Sequence, residues 1–185
     1  MIQDDDDELA NSKSLTKLKD GFQSINFNFK DINGEFISSN DEQFKNKVVV
    51  VQILGTWCPN CLDETQFFLS YLDENPNEDL AFIGLSVEAA KTEERALKRI
   101  SSMIEKFDIP YPILLAQYGS TDKEIFLEKI PMLENIISYP TTIIIDKSGK
   151  VNSIHTGFNG PATGQAYIDY KNEFETEIKG LLELQ

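Results

Sequence analysis

The alternation of apolar and polar positions predicts strands and helices that follow one another along most of the chain. Two nearly continuous apolar runs, at 47–54 and 79–87, are typical of strands that are buried on both faces of a sheet. Apolar residues at helical spacing predict helices over 59–75, 92–107 and 165–184. Alternation of this kind between strands and helices is typical of an α/β fold.

Shorter elements complete the pattern. Apolar and polar residues alternate over 22–38 around Asn33-Gly34, a dipeptide that is typical of a tight turn between two antiparallel strands. The remaining predicted elements are three strands and one short helix, at 113–115, 139–146, 151–156 and 121–130. Their order along the chain predicts an α/β fold with a mixed sheet.

Length and composition suit a single folded domain preceded by a tail. The chain has 185 residues, of which 41% are hydrophobic, and this is enough for a core that needs no disulfide cross-links. Residues 1–20 contain a block of five acids followed by a stretch rich in Ser and Lys. This composition predicts an acidic, disordered tail over 1–20 and a folded domain over 21–185.

The charge of the chain narrows the choice of partners. Its 31 Asp and Glu against 17 Lys and Arg give a net charge of −14, whereas nucleic acids and anionic membranes require a basic surface. The sequence has no apolar run of the roughly 18 residues that a transmembrane helix needs, and residues 1–10 lack the basic and apolar regions of a signal peptide. These features fit a cytosolic protein and equally an exported protein whose signal has been removed.

The two cysteines of the chain lie in the segment Trp57-Cys58-Pro59-Asn60-Cys61, between a predicted strand and a predicted helix. At such a position, unpaired N–H groups and the positive end of the helix dipole favour the reactive thiolate. The second cysteine lies about one helical turn further on, so its sulfur can reach the first. This arrangement predicts a redox pair in which Cys58 forms a mixed disulfide and Cys61 resolves it. Trp57 would provide an apolar surface beside the attacking sulfur.

A zinc site is the alternative use of two closely spaced cysteines. A structural zinc ion normally takes four protein ligands, and His155 is the only other soft ligand in the chain. His155 lies far along the sequence from the cysteines, and we expect it to be a surface or strand-end residue. We therefore expect neither a metal ion nor another cofactor.

Three segments of the chain resemble the thioredoxin superfamily and, within it, the TlpA/ResA-like branch of bacterial extracytoplasmic thiol-disulfide oxidoreductases. These segments are VVVVQILGTWCPNCLDE at 48–64, YPTTIIIDKSGKV at 139–151 and HTGFNGPATG at 155–164. The resemblance runs from about residue 22 to the end of the chain. It implies a thioredoxin-like fold with an N-terminal β-hairpin and an inserted helix–strand element near 92–115.

The resemblance also implies roles for individual residues. Cys58 matches the attacking cysteine of the family and Cys61 the resolving one. Pro140 matches a proline that follows a cis peptide bond and lies against the disulfide; a fold can fix this isomer because X-Pro bonds prefer trans only weakly. The alternative for Pro140 is an ordinary proline at the start of a strand. The expected substrate-binding residues are Trp57, Pro59, Tyr139 and Pro140.

Glu64 matches an acidic residue that ResA-like proteins carry three positions after the second cysteine. Because positions 58, 61 and 64 share one helix face, a partly buried carboxylate there could exchange a proton with the resolving thiol. An exposed helix glutamate is an equal alternative. Many thioredoxins carry a buried aspartate six residues before the first cysteine, where this chain has Gln52. Since Gln52 cannot titrate, Glu64 becomes the stronger candidate for proton transfer.

The implied function is disulfide exchange with protein thiols, commonly as a reductase, in a role such as cytochrome c maturation. The implied partners are protein thiol or disulfide substrates and a membrane or thioredoxin-like electron donor, without nucleic acid, and the chain is expected to be a monomer. The implied location is the periplasm or another extracytoplasmic compartment, with a membrane anchor as an option in the full-length protein. The residues alone leave open whether the exchange runs as reduction or oxidation.

Two other functions remain as alternatives. One is a peroxiredoxin-type peroxidase, whose peroxidatic cysteine usually follows a threonine or serine by three residues. In this chain Gly55 stands at that position and Thr56 is one residue out of register, which disfavours a peroxidase. The other alternative is a thioredoxin-fold binding module in which the cysteines act as a redox switch.

Overall fold

The computed structural model describes residues 15–184, which form one mixed sheet flanked by helices. The strands of the sheet are β1 (Asn28–Lys30), β2 (Phe36–Ser38), β3 (Val48–Leu54), β4 (Leu80–Glu88), β5 (Ile113–Tyr118), β6 (Thr141–Ile145) and β7 (Val151–Thr156). The α-helices are α1 (Pro59–Glu74), α2 (Glu93–Phe107), α3 (Lys123–Leu127) and α4 (Gln165–Glu183). Short 3₁₀ helices lie at Glu42–Phe44 and Pro161–Thr163.

The strand order across the sheet is β2-β1-β5-β4-β3-β6-β7. The central strands β3, β4 and β5 run parallel to one another, while the outer pairs are antiparallel. All seven residues of β3 are buried, as its apolar run predicts. The structure therefore confirms the predicted α/β fold with a mixed sheet.

The N-terminal hairpin and the inserted element are both present. β1 and β2 pair antiparallel, and the turn between them is closed by a 2.8 Å hydrogen bond from the backbone N–H of Asp31 to the carbonyl of Glu35. The inserted helix α2 leads into β5, which pairs with β4 on one side and β1 on the other. The insertion therefore joins the hairpin to the central sheet.

Two hydrophobic cores lie on opposite faces of the sheet because side chains alternate along each strand. Val48 and Val50 of β3 face the core beneath α1, α2 and α4, whereas Val49 and Val51 face the second core. In the first core, Phe174 of α4 packs against aromatic rings of α1, with ring centroids 5.2 Å from Phe67 and 5.4 Å from Phe68. This packing fixes α4 against the helix that follows the cysteines.

The stretch at 15–20, which we assigned to the tail, packs against the domain. The Thr16 side chain is buried, its N–H donates to Thr156 Oγ1 at 2.9 Å, and its hydroxyl accepts from Ile137 N at 3.1 Å. Leu18 forms a β-bridge with Leu133. The predicted disordered tail also covers residues 1–14, which lie outside the described residues, and for them it stays a prediction.

Among the described helices, none has the length and apolar content that are needed to cross a lipid bilayer.

Candidate active site

The segment between β3 and α1 places both cysteines at the start of a helix. Cys58 caps this helix: its Sγ accepts a hydrogen bond from Cys61 N at 3.3 Å, and its carbonyl accepts from Leu62 N at 3.2 Å. Pro59 is the first helical residue, where the missing N–H of proline costs no hydrogen bond. Gly55 must be a glycine because a Cβ there would overlap the indole of Trp57.

Cys58 and Cys61 are joined by a disulfide, and their Cα atoms are 5.3 Å apart. Cys58 keeps 6% of its surface exposed, whereas Cys61 is completely buried. Cys58 is therefore the member of the pair that lies nearer to solvent. The positive end of the helix dipole stabilises a thiolate at that sulfur when the disulfide is reduced.

The Tyr139–Pro140 peptide bond is cis, which confirms the geometry predicted for Pro140. It brings the carbonyl oxygen of Tyr139 to 3.7 Å from Cys58 Sγ. The Trp57 indole lies edge-on to the Tyr139 ring at a centroid distance of 5.8 Å and donates a 2.9 Å hydrogen bond to the carbonyl of Val87. Trp57 is 42% exposed, so it forms an open apolar wall beside the disulfide.

Glu64 is completely buried, which decides between the two alternatives that the sequence left for this residue. Its carboxylate accepts 2.9 Å hydrogen bonds from Gln52 Nε2 and from the hydroxyl of Tyr170. Burial raises the pKa of the Glu64 carboxyl from 4.5 to about 7, although the two hydrogen bonds oppose this shift. A carboxyl in this state can gain or lose a proton near neutral pH.

Gln52 connects Glu64 to the cysteine helix. Its Nε2 also donates to the carbonyl of Cys61 at 3.2 Å, and its Oε1 accepts from the Thr65 hydroxyl at 3.0 Å. Gln52, which cannot titrate, thus holds in place the Glu64 carboxylate, which can. One amide fixes the Glu64 carboxylate relative to the Cys61 backbone.

Tyr170 is a member of this site that sequence reasoning missed. It lies on α4, its ring packs 5.6 Å from Phe67 and 5.0 Å from Phe158, and its hydroxyl points to Glu64. Burial and the neighbouring Glu64 carboxylate raise the pKa of Tyr170 well above its ordinary value, so it stays a hydrogen-bond donor. Helical spacing gave Tyr170 only as part of an amphipathic helix, and no local motif marks it.

Glu88 is a second residue that sequence reasoning missed. It is completely buried at the end of β4, and its carboxylate accepts hydrogen bonds from Thr56 N at 2.9 Å and from the Thr56 hydroxyl at 2.7 Å. The hydroxyl of Ser86 donates a further bond at 2.6 Å. These bonds hold the loop before Cys58 against β4. An acidic residue directly after an apolar strand was the available signal.

His155 lies in β7, and the described hydrogen bonds and ion pairs connect it to α4 and a neighbouring strand residue instead of the cysteines. Its Nε2 is 3.1 Å from Glu177 Oε2 on α4. Burial raises the pKa of Glu177, but hydrogen bonds from His155, Ser153 and Asn152 outweigh it and leave that pKa below its ordinary value. Within residues 15–184, no cluster of three or more His, Cys, Asp and Glu side chains could hold a metal ion.

Residues 17–168 of the chain match the profile of the protein family described as Redoxin. The chain belongs to the Redoxin family. The matched range includes the two cysteines, the cis-proline, Gln52 and Glu64, and it ends just before Tyr170.

Named relatives of this Redoxin chain come from bacteria. It is 29% identical over 146 residues to "Thioredoxin-like protein YneN" of Bacillus subtilis, an alignment that covers 79% of this chain and 76% of that protein. It is 23% identical over 155 residues to "Thiol-disulfide oxidoreductase ResA" of the same organism, covering 84% and 75%. The solved structure of a "Thiol-disulfide Isomerase" from Corynebacterium glutamicum matches with a TM-score of 0.64 at 17% identity, covering 90% of this chain and 100% of that one. At this identity the structural match establishes the thioredoxin-like fold.

Proposed function

We propose that this thiol-disulfide oxidoreductase reduces disulfides of protein substrates through Cys58 and Cys61. The observation that carries the proposal is a disulfide at a helix N-terminus in which the sulfur of Cys58, the less buried cysteine, lies 3.7 Å from the carbonyl oxygen of Tyr139. Relatives that are named as thiol-disulfide oxidoreductases support it.

The reaction starts from the reduced pair. The Cys58 thiolate attacks one sulfur of the substrate disulfide, which forms a disulfide between Cys58 and the substrate. The other substrate sulfur leaves as a thiolate and takes a proton from water. Cys58 is the attacking residue because it keeps 6% of its surface exposed, whereas Cys61 is completely buried.

Cys61 then resolves the mixed disulfide. Its thiol gives its proton to the Glu64 carboxylate, and the resulting thiolate attacks Cys58 Sγ. The Cys58–Cys61 disulfide forms and the second substrate sulfur leaves as a thiolate, so two electrons have passed to the substrate. Glu64 suits the role of proton acceptor because it lies one helical turn from Cys61 and has a pKa of about 7.

The substrate binds beside Cys58. Trp57 and Pro59 flank this cysteine in the chain, while Tyr139 and Pro140 approach it from the loop before β6. The Tyr139 carbonyl and the open face of Trp57 give an extended substrate segment one polar and one apolar contact. We assign substrate binding to these four residues.

A dithiol donor, in the membrane or of thioredoxin type, returns the two electrons by the reverse steps. We place this cycle outside the cytoplasm, where new protein disulfides arise and need reduction, as in cytochrome c maturation. A membrane-impermeant maleimide should then label the reduced protein in intact cells that express the full-length gene product. Labelling that requires lysis would contradict this location. We expect a monomer, which sedimentation of the purified chain measures.

A trapping experiment tests the roles of the cysteines. The Cys61→Ser variant should accumulate a disulfide-linked complex with a disulfide-bearing substrate such as insulin, because the mixed disulfide cannot be resolved. Cys58→Ser, with the same loss of one thiol, should form no such complex. Equal trapping by both variants would refute the assignment of Cys58 as the attacking residue.

A redox titration tests the direction of the reaction. The wild-type protein is equilibrated with glutathione mixtures, and its free thiols are alkylated and counted. A reductase should titrate nearer to thioredoxin, at about −270 mV, than to the strong oxidant DsbA, at about −120 mV. A midpoint near the oxidant would overturn the reductase assignment. Consumption of hydrogen peroxide that is lost in Cys58→Ser would instead favour the peroxidase.

A further inference from the structure

A groove of about 890 Å³ lies between α1 and α2, and its lining includes Trp57 and Leu62, the residues on either side of the Cys58–Cys61 segment. Trp57, Leu62, Met103 and Phe107 provide its apolar walls. The other lining side chains are mostly cationic and all five of these cations are exposed: Lys91, Arg95, Lys98, Arg99 and Lys106. Among residues 15–184, no Asp or Glu lines the groove.

The positive charge of this basic groove contrasts with the negative net charge of the chain. The chain carries a net charge of −14, yet five of its 17 Lys and Arg residues meet here. Within residues 15–184, none of the five pairs with a carboxylate, because the ion pairs there involve other cations. Their positive charge is therefore not neutralised by the described part of the domain.

The sequence of α2 explains how the cations come together. Positions 95, 98, 99, 102 and 106 recur at intervals of three and four residues, so they share one helix face. Of the three acids of the same helix, Glu93 binds Lys30 at 2.8 Å and Glu105 accepts a hydrogen bond from Ser101 at 3.0 Å, while Glu94 is exposed and does not line the groove. α2 thus separates its charges, with the basic face toward the groove.

We propose that this groove binds an acidic segment of the protein whose disulfide is exchanged, a segment rich in Asp and Glu with an apolar side chain among them. The inference rests on the proposed function, because it places the segment next to the cysteine that reacts at Cys58. Opposite charges steer an acidic segment into the groove, while the negative charge of the remaining surface repels it elsewhere. The apolar walls accept the apolar side chain.

Trp57 connects the groove to the reactive Cys58. It lines the groove, precedes Cys58 in the chain and contacts the Tyr139 ring. A segment in the groove therefore continues past Trp57 onto the disulfide. Trp57 is also the only tryptophan of the chain, so its fluorescence reports directly on occupancy of the groove.

Binding is tested first on the oxidised full-length chain, without any exchange. A cysteine-free peptide of Asp and Gly around one Leu is titrated while Trp57 fluorescence is recorded, and the counterpart with Lys in place of Asp serves as the reference. The groove variant is Lys98→Glu with Lys106→Glu. The matched control is Lys150→Glu with Lys179→Glu, which changes the net charge equally at exposed positions outside the groove.

We expect the acidic peptide to bind the wild-type chain about tenfold more tightly than the groove variant, since exposed charge pairs are individually weak and two of them are reversed. Added salt should reduce the difference. The control should lose much less affinity than the groove variant. Equal affinity for the acidic and basic peptides, or an equal loss in the control and the groove variant, would overturn the proposal.

The second measurement uses the reduced enzyme and two disulfide-linked substrates, one built on the acidic peptide and one on a neutral peptide with Gly in place of Asp. The wild-type enzyme should show a kcat/KM about tenfold higher for the acidic than for the neutral, Gly-only substrate, a ratio that the groove variant loses. Reduction of both substrates at equal rates would overturn this inference but leave the oxidoreductase function intact. Binding of the acidic peptide without reduction of any substrate would overturn the oxidoreductase function but leave the groove as a docking site.

Discussion

Replacing Glu64 by Gln should change how the stability of the protein depends on pH. The wild-type carboxyl has a pKa of about 7 in the fold, against 4.5 for an ordinary glutamate, because burial disfavours its charged form. The substitution keeps the size of the side chain, replaces one acceptor oxygen by a donor, as protonation of the carboxyl also does, and removes its titration. The difference between the two proteins therefore isolates the contribution of this one group.

The sign and the magnitude follow from linkage. Because the folded-state pKa is the higher one, the folded protein binds the proton more strongly than the unfolded chain. The stabilising contribution of the neutral carboxyl is fully present below pH 4.5 and is lost as pH rises through about 7. The difference between these pKa values corresponds to about 3 kcal/mol in the free energy of unfolding.

Urea unfolding of the oxidised protein between pH 4 and pH 8.5 measures this difference, since the disulfide then persists in both states. The free energy of unfolding of Glu64→Gln minus that of the wild type should rise by about 3 kcal/mol across the range. Glu74→Gln is the matched control, because Glu74 lies at the exposed end of the same helix. It should give a nearly flat difference.

A flat difference for Glu64→Gln would refute the reasoning, since it would mean that the carboxyl ionises as easily in the fold as in the unfolded chain. A difference that falls with pH would refute it as well, because that sign belongs to a carboxyl held in its charged form. In either case Glu64 would have no pKa near neutrality and would lose its assignment as proton acceptor for Cys61.

Three further predictions concern neighbouring positions. Tyr170→Phe removes a hydrogen bond that favours the charged Glu64 carboxylate, so the pH midpoint in the same unfolding series should move upward; a downward move would contradict this. Glu88→Gln weakens the bonds to Thr56 and should destabilise the fold by about 1–3 kcal/mol while slowing, several-fold, the alkylation of the reduced Cys58 thiol in stopped flow; an unchanged rate and stability would contradict this. Gly84→Ala should cost about 1–3 kcal/mol in urea unfolding, because its Cβ would lie within 3.1 Å of three side-chain atoms in the core; a loss below roughly 0.5 kcal/mol would contradict the packing argument.

The sequence predicted the frame of the site because that frame depends on local signals. The buried run of β3, the proline at the start of α1 and the spacing of the two cysteines each act within a few residues of one another. The predicted strand at 139–146 is shorter in the structure and begins at Thr141. Pro140 has no N–H to donate to a neighbouring strand, so regular pairing starts only after it.

One strand was longer than predicted. The apolar pattern ended at Leu115, whereas β5 extends to Tyr118. Gln117 interrupts the pattern but is nevertheless buried, since its side-chain amide donates to the carbonyls of Ser120 and Asp122 at 2.7 and 3.2 Å. These two hydrogen bonds depend on the path of the following loop, which the apolar pattern does not encode.

The parts of the site that escaped prediction depend on contacts between distant segments. Tyr170 reaches Glu64 across 106 positions, and Glu88 reaches Thr56 across 32. Such contacts exist only after α4 has packed on α1 and β4 has paired with β3, so no spacing rule finds them. The burial of Glu64 has the same origin: its helix position was clear, but its environment was set by α4.

The neutral Gln52 gives the site a simpler acid–base chemistry than two buried acids would. Two carboxylates beneath the disulfide would interact and titrate in two coupled steps. With an amide at position 52, the hydrogen bond to Glu64 persists in both protonation states of that carboxyl, and within residues 15–184 Glu64 is the one buried acid hydrogen-bonded to this amide. In the oxidised protein, where the cysteines do not titrate, the acid–base chemistry beneath the disulfide should therefore follow a single titration centred on Glu64. Glu88 does not take part in this titration, because its carboxylate is hydrogen-bonded to Thr56, in the loop that precedes Cys58.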